Sequence, residues 1–308
     1  MLLNMNQLLE VAKENKFAVG AYNISNLELV RIVIEQCEAD NAPAIIEVHP
    51  TEVAYCKNDF FAYVLQRIRN SKVPFVLHLD HGDSIDSVVR AIHNGFSSVM
   101  IDGSLKSWEE NVAITKETVD ICHRVGVSVE GELGTIGQTG THIEEHLQKG
   151  IYTDPEDARK FVEETGVDTL AVGVGTAHGI YPSDVTPKIH IDILQNIVDQ
   201  VDIPLVLHGG SSNPDDQIAE AVKNGVCKVN ISSDFKHAFF DKVRTTLVED
   251  EGWDPNNLFP ACLDEGKKVV HHKNNLFGAV GKAELYYGID PWRAEPYHDT
   301  DTLKSEFL

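Results

Sequence analysis

Ionisable and amide side chains recur at one kind of place in this sequence, the end of a short β-branched run. Asn23 follows Phe17–Tyr22, and Glu47 and His49 close Ala44–Val48. Asp80 and His81 close Pro74–Asp80, Asp102 closes Ser98–Asp102, and Glu130 and Glu132 lie within Ser128–Leu133. His178 follows Thr169–Val174 inside Gly175-Thr176-Ala177-His178-Gly179, His208 ends Pro204–His208, and Asn230 lies within Lys228–Ile231. Neutral imidazoles and carboxylates are the side chains that bind divalent metals and move protons near neutral pH. A lone histidine reads most simply as a hydrogen-bonded core residue. Three at three run ends, with carboxylates beside them, favour a metal centre in which His81, His178 and His208 leave a tetrahedral Zn²⁺ one position for substrate. Asp102 and Glu132 would then orient imidazoles or offer the metal an alternative position, or serve only as salt-bridged rim carboxylates.

The elements that must position these groups can be counted. The eight runs alternate with amphipathic stretches at roughly Glu28–Ala39, Phe60–Asn70, Ile85–Asn94, Trp108–Val125, Pro155–Thr165, Ile191–Gln200, Pro214–Asn224 and Asp234–Val248. Eight strands, each followed by a helix, specify an α/β fold of the (β/α)₈ (TIM) barrel type. Asn94-Gly95, Val125-Gly126, Thr165-Gly166 and Asn224-Gly225 each supply the glycine that a left-handed helix C-cap requires. A doubly wound open sheet is the rival, but no GxGxxG follows the first strand. The expected organisation is one domain, a barrel over about 1–248 and a C-terminal extension over about 249–308 that is helical and then irregular, with Tyr286, Tyr287, Trp292 and Tyr297 packing on the barrel or a neighbouring subunit. In such a barrel the strand ends carrying the polar residues share one rim. Period-two alternation sends His78 with Asp80, Glu130 with Glu132, and Lys228 with Asn230 toward the axis, and Leu79, Gly131 and Val229 toward the helices.

Composition limits the partners. Asp and Glu number 48 against 26 Lys and Arg in 308 residues, a formal charge of −22 that repels nucleic acid and anionic lipid. The 42% hydrophobic and 24% charged content is that of a chain with a large core. Five cysteines without a CxxC pair indicate neither a disulfide framework nor a cysteine zinc site, and fit a reducing cytoplasm. The first residues read as a short amphipathic helix without the apolar block of a signal peptide, and no later run has the length of a membrane span.

The same negative field opposes an anionic substrate, so a phosphate site must rest on local donors. Gly209-Gly210-Ser211-Ser212 and Asn230-Ile231-Ser232-Ser233 end the seventh and eighth strands and run straight into helix N-termini, aiming backbone N–H groups and helix dipoles at one small volume.

Taken together these segments resemble the class II ketose-bisphosphate aldolases, the fructose- and tagatose-bisphosphate group. The matching stretches are Ala21-Tyr22-Asn23 with Asn26-Leu27-Glu28, His78-Leu79-Asp80-His81-Gly82, Met100-Ile101-Asp102-Gly103-Ser104, Val129-Glu130-Gly131-Glu132-Leu133-Gly134, Gly175-Thr176-Ala177-His178-Gly179, Leu207-His208-Gly209-Gly210-Ser211 and Lys228-Val229-Asn230. The resemblance implies reversible cleavage of a phosphorylated ketose, such as fructose or tagatose 1,6-bisphosphate, into dihydroxyacetone phosphate and an aldehyde. It implies His81, His178 and His208 as zinc ligands, Glu132 beside the metal, and Asp80 as the acid/base at the C4 hydroxyl. Asn23, Gly179, Gly209, Gly210, Ser211, Asn230, Ile231, Ser232 and Ser233 would hold substrate and its phosphate. It also implies a homodimer or homotetramer and, in some relatives, a monovalent cation near the phosphate.

Departures from the family pattern bear on the substrate. Relatives often carry acidic residues directly after the glycines that follow strand five, whereas here the acids of that loop come later, at Glu144 and Glu145. An arginine usually presented toward the second phosphate has no counterpart in Leu258-Phe259-Pro260-Ala261-Cys262, and Ser232 stands where many fructose-type relatives have an acid. The aldehyde therefore stays open. A Schiff-base aldolase through Lys228 is the mechanistic rival, although Lys228 lies two residues deeper than Asn230 and is better placed for a buried ion pair with Glu130. A metal-dependent sugar-phosphate isomerase and a non-catalytic sugar-phosphate-binding protein share the same barrel logic.

Overall fold

The computed structural model describes residues 1–135, 152–179, 181, 187–249 and 252–289, with the backbone of 137–138. Eight parallel strands close into a barrel: β1 (Val19–Asn23), β2 (Ala44–Val48), β3 (Phe75–Gly82), β4 (Ser98–Ile101), β5 (Ser128–Leu133), β6 (Thr169–Val172), β7 (Leu205–Leu207) and β8 (Val226–Ile231). Each strand pairs with its neighbours in chain order, and β8 returns to β1 through Val19↔Lys228 and Ala21↔Asn230. The expected strands are all present, with the third running from Phe75 on through His81 and Gly82 and the eighth starting earlier, at Val226.

The helices are α1 (Met5–Glu14), α2 (Leu27–Asp40), α3 (Pro50–Cys56), α4 (Asn58–Asn70), α5 (Ile85–His93), α6 (Trp108–His123), α7 (Pro155–Thr165), α8 (Ile191–Val198), α9 (Asp215–Lys223), α10 (Ser233–Glu249) and α11 (Pro255–Leu276). Alternation places Leu79 and Val229 in the core between barrel and helices, and a Cβ on Gly131 would lie 2.8 Å from Phe161 of α7, so strand and helix touch there. The four expected C-cap glycines, Gly95, Gly126, Gly166 and Gly225, all have positive φ. The helix α3 has no counterpart in the periodic reading, because seven residues are too few to show a repeat. Its start signals are nonetheless complete: His49 caps it, Pro50 opens it, and the Glu52 carboxylate accepts from the His49 N–H at 3.0 Å.

The N-terminal end of the barrel is closed by α1. Leu3, Met5, Leu8 and Leu9 form one apolar cluster with the inward Val19, Ala21, Ile45 and Val76. Tyr286, in a 3₁₀ turn over Lys282–Tyr286, is buried and donates to the Leu8 carbonyl at 2.8 Å, while Tyr287 is exposed. Trp292, Tyr297, Glu144 and Glu145 lie outside the described residues. No described helix is long and apolar enough to cross a membrane.

Candidate active site at the barrel mouth

Strict alternation cannot bring both Asp80 and His81 to the axis. With Leu79 outward and Asp80 inward, His81 would turn toward the helices. The strand solves this with an irregularity: the β3–β4 register shifts between Leu79 and Gly82, and His81 takes φ +49°, the left-handed region that is uncommon for residues other than glycine. Gly82 completes the turn, because a Cβ there would sit 2.4 Å from the Met100 carbonyl oxygen. Adjacent acid and imidazole thus enter one cavity of about 550 Å³ at the C-terminal mouth.

His81, His178 and His208 converge there from β3, the segment after β6 and the end of β7. Their ring centroids are 5.1 Å (His81 to His178), 4.7 Å (His81 to His208) and 6.0 Å (His178 to His208) apart. One nitrogen from each lies within 4.8 Å of the others. The far nitrogens of two rings are engaged: His81 Nδ1 meets Asp102 Oδ2 at 2.8 Å, and His208 Nε2 meets Glu130 Oε1 at 2.8 Å. Their near nitrogens, His81 Nε2 and His208 Nδ1, and the Glu132 Oε2 3.3 Å from His208 Nδ1, are buried without a hydrogen-bond partner. Buried polar atoms left orphaned are costly, and a divalent cation is the partner that satisfies two imidazole nitrogens and a carboxylate together, so this donor set fits a metal. Asp102 acts here by holding His81, and Ser104 holds Asp102 in turn, its N–H and hydroxyl both donating to Asp102 Oδ1. His81, Asp102 and Glu132 also form a second group with ligand atoms close enough to share an ion.

The electrostatics couple these groups. Burial disfavours charge on His81, but Asp80 and the Asp102 bond outweigh it and push its pKa up to about 9. His208 is raised to about 10 against burial by its contacts with Glu130 and Glu132. Burial, reinforced by the two neighbouring rings, drives His178 down to about 3. Asp80 would be raised by burial, yet His81, His208 and Lys228 hold it well below the ordinary carboxylate range. Two amides fix its oxygens: Asn23 Nδ2 donates at 2.9 Å and Asn230 Nδ2 at 3.2 Å. Asp80 Oδ1 stands 3.8 Å from His81 Nε2, so a fixed carboxylate borders the place where the imidazoles point.

Beneath this rim lies a fully buried ionic layer. Lys228 Nζ donates to both oxygens of Glu130 at 2.9 and 3.1 Å and lies 3.5 Å from Glu47 Oε2. Lys228 is therefore the buried ion pair expected of it, with its pKa raised by Glu130 and Glu47 against the effect of burial, the opposite of a nucleophilic amine. His78 bonds Ser98 Oγ at 2.8 Å, and burial lowers its pKa to about 3.

The glycine-serine turns meet where expected. Asn23, Gly179, Gly209, Ser211, Asn230, Ser232 and Ser233 border one small recess adjoining Asp80 and His178. The N–H groups of Ser232 and Ser233 converge on Ser211 Oγ at 3.2 and 3.1 Å, which marks the point to which the α10 N-terminus is aimed. Gly210 and Ile231 differ from the rest. The Ile231 side chain belongs to the outer core, and Gly210 packs on β8, where a Cβ would lie 2.5 Å from Val229, so neither of these two expected residues lines the recess. Ser212, at φ +58°, is held by Asp234 Oδ1, which accepts from its N–H at 3.0 Å; Lys273 of α11 pairs with Asp234 Oδ2 at 2.9 Å.

Two roles were invisible in the sequence. Glu130 orients His208 from the other side of the site, and Asn23 with Asn230 clamps Asp80; neither follows from spacing, because the partners lie 78, 57 and 150 residues apart. The one signal in the chain is that Glu130 shares a face with Glu132.

Known proteins carry the same arrangement of strands. Residues 3–282 match the family model described as fructose-bisphosphate aldolase class-II. Among solved structures, the YdjI aldolase from Escherichia coli K12 is 32% identical over 92% of this chain and 100% of its own, with a TM-score of 0.82. A putative fructose-1,6-biphosphate aldolase from Coccidioides immitis is 28% identical over 91% of this chain and 98% of its own, with a TM-score of 0.82. The fructose-bisphosphate aldolase (Fba) from Campylobacter jejuni is 25% identical over 91% and 97%, with a TM-score of 0.75. A family match across nearly the whole barrel, on a mouth that gathers imidazoles around a fixed carboxylate, makes this chain a carbon–carbon lyase of the class II fructose-bisphosphate aldolase family.

Proposed function

We propose that the protein is a zinc-dependent aldolase that reversibly splits a phosphorylated ketose into dihydroxyacetone phosphate and an aldehyde, with His81, His178 and His208 holding the ion. The single observation that carries this reading is the pair of orphaned buried nitrogens, His81 Nε2 and His208 Nδ1, beside the Asp80 carboxylate. Bound there, zinc supplies Lewis-acid stabilisation of the charge that develops when the C3–C4 bond breaks.

The chain's own groups do the remainder. Asp80, kept ionised and fixed by Asn23 and Asn230, takes the C4 hydroxyl proton during cleavage and returns it to the aldehyde oxygen during synthesis. Asp102 and Glu130 hold the imidazoles in the tautomers that face the ion. Gly179, Gly209 and Ser211 with the Ser232 and Ser233 N–H groups receive the phosphate at the α10 N-terminus. Self-association as a homodimer or homotetramer and a cytoplasmic location belong to the same reading.

A coupled assay for dihydroxyacetone phosphate across ketose phosphates, with and without a chelator, tests it. Release that a chelator abolishes and zinc restores is expected. Chelator-resistant release moves the chemistry to Lys228, sugar interconversion without release makes the protein an isomerase, and binding without turnover makes it a silent binder.

A further inference from the structure

The two flanks of the mouth differ in charge. On the β7–β8 flank stand glycines, serines and a helix N-terminus, all suited to an anion. Across the mouth, on the β2–β4 flank, stand His49, Thr51, Glu52, Asp83, Asp102 and Ser104. Among the described residues lining the mouth there is no lysine or arginine. Besides the buried Lys228 beneath the rim, an ammonium that reaches lining residues of the mouth is Lys236, in the first turn of α10, and it is already occupied: its Nζ donates to Glu52 Oε1 at 2.8 Å and to Ser232 Oγ at 3.1 Å. Glu52 is itself fixed, since its other oxygen closes the α3 capping box on the His49 N–H at 3.0 Å. Both partners are largely shielded, their side chains 22% and 17% exposed, so the lysine's charge is neutralised inside the wall.

A ketose whose phosphate sits against α10 and whose C4 hydroxyl meets Asp80 must run its remaining carbons toward the β2–β4 flank. A second phosphate would meet the Asp83 carboxylate there and, at Glu52, an ion pair with no positive charge left to offer, whereas hydroxyl groups could donate to Asp83 and accept from Thr51 and Ser104. Resting on the dihydroxyacetone-phosphate reading above, we infer that the aldehyde half is an uncharged polyhydroxylated aldehyde. The substrate is then a ketose 1-phosphate with one phosphate, and Glu52 enforces that choice by keeping Lys236 neutralised.

Condensation of dihydroxyacetone phosphate with aldehydes tests this whatever the stereochemistry of the ketose. The metal-loaded protein is given D- and L-glyceraldehyde and, in parallel, their 3-phosphates, and kcat/KM is read from consumption of dihydroxyacetone phosphate. A preference of roughly tenfold or more for the unphosphorylated aldehydes is expected from like-charge repulsion at a partly exposed wall. Glu52→Gln keeps the capping oxygen, removes the charge and frees Lys236, so it should shrink that preference by about three- to tenfold. Because the preference is a ratio measured on one preparation, a partly unfolded variant does not alter it. Equal or better use of the 3-phosphates, or a ratio that Glu52→Gln leaves unmoved, overturns the inference while leaving the aldolase standing. No consumption with any aldehyde overturns the dihydroxyacetone-phosphate reading, and this inference with it.

Discussion

The two ends of the barrel are built from the same strands and obey opposite rules. At the floor, Val19, Ala21, Ile45 and Val76 point inward against Met5, Leu8 and Leu9 of α1, and the helix start is satisfied by a complete Asn4–Gln7 capping box. At the mouth the same inward positions, two to four residues on, carry Asn23, Glu47, His78 and Asp80, with orphaned atoms on Glu47, His81, Glu132 and His208 and left-handed backbone at His81 and Ser212. Strain and unsatisfied polarity are tolerated where a ligand can relieve them, and apolar closure at the other end supplies the stability that tolerates them.

If that division is real, damage at the mouth should lower activity without unfolding the protein, and damage at the floor should do the reverse. The largest effect is expected from Asp80→Ala, which removes the proton-transfer group and spares the imidazoles: kcat should fall by ~10²- to 10⁴-fold with metal content unchanged by elemental analysis. Near-normal turnover would take the acid/base role away from Asp80. Leu8→Ala opens a cavity in the fully buried floor and should cost about 2–5 kcal/mol in denaturant unfolding, with kcat/KM per folded molecule unaltered. A loss of specific activity beyond the unfolded fraction would mean that the two ends are not independent.

Asp102→Ala should weaken metal affinity by roughly 10- to 100-fold, measured by competition with a chromogenic chelator, because His81 loses the group that fixes its ring. Unchanged affinity would reduce Asp102 to a rim carboxylate. The smallest effect belongs to the floor ion pair between His123 Nε2 and Asp168 Oδ2, 2.9 Å apart. The hydrogen bond to Asp168 raises His123 above its ordinary value of 6.5, so its stabilisation is fully present below pH 6.5 and is lost as pH rises through the raised folded value. His123→Gln should therefore cost roughly 1 kcal/mol or less below that value, and progressively less above it. A difference that grows with pH would reverse the assignment.

Much of this contrast is legible in the sequence. The strand count, the four C-cap glycines and the inward facing of Glu130, Glu132, Lys228 and Asn230 follow from periodicity and from the backbone freedom of glycine, both of which are local. Their place at the run ends, and then the resemblance to class II aldolases, pick out His81, His178 and His208, whereas alternation alone would discard His81. Helix α3 escapes a periodic reading because its signature is a cap and a proline rather than a repeat. The partners of Asp80, His208 and Lys236 are illegible because each comes from a strand or helix far along the chain, and only barrel closure sets which side chains face each other.

The chain alone determined how many strands there are, their order, and which end of the barrel is greasy and which is charged, because side-chain sterics and hydrophobic burial act between near neighbours. Tertiary structure decided the rest. It turned His81 inward through a register shift against β4, chose Glu130 rather than solvent as the partner of His208, and bound Lys236 to Glu52. Those outcomes depend on distances between residues that no spacing in the chain encodes.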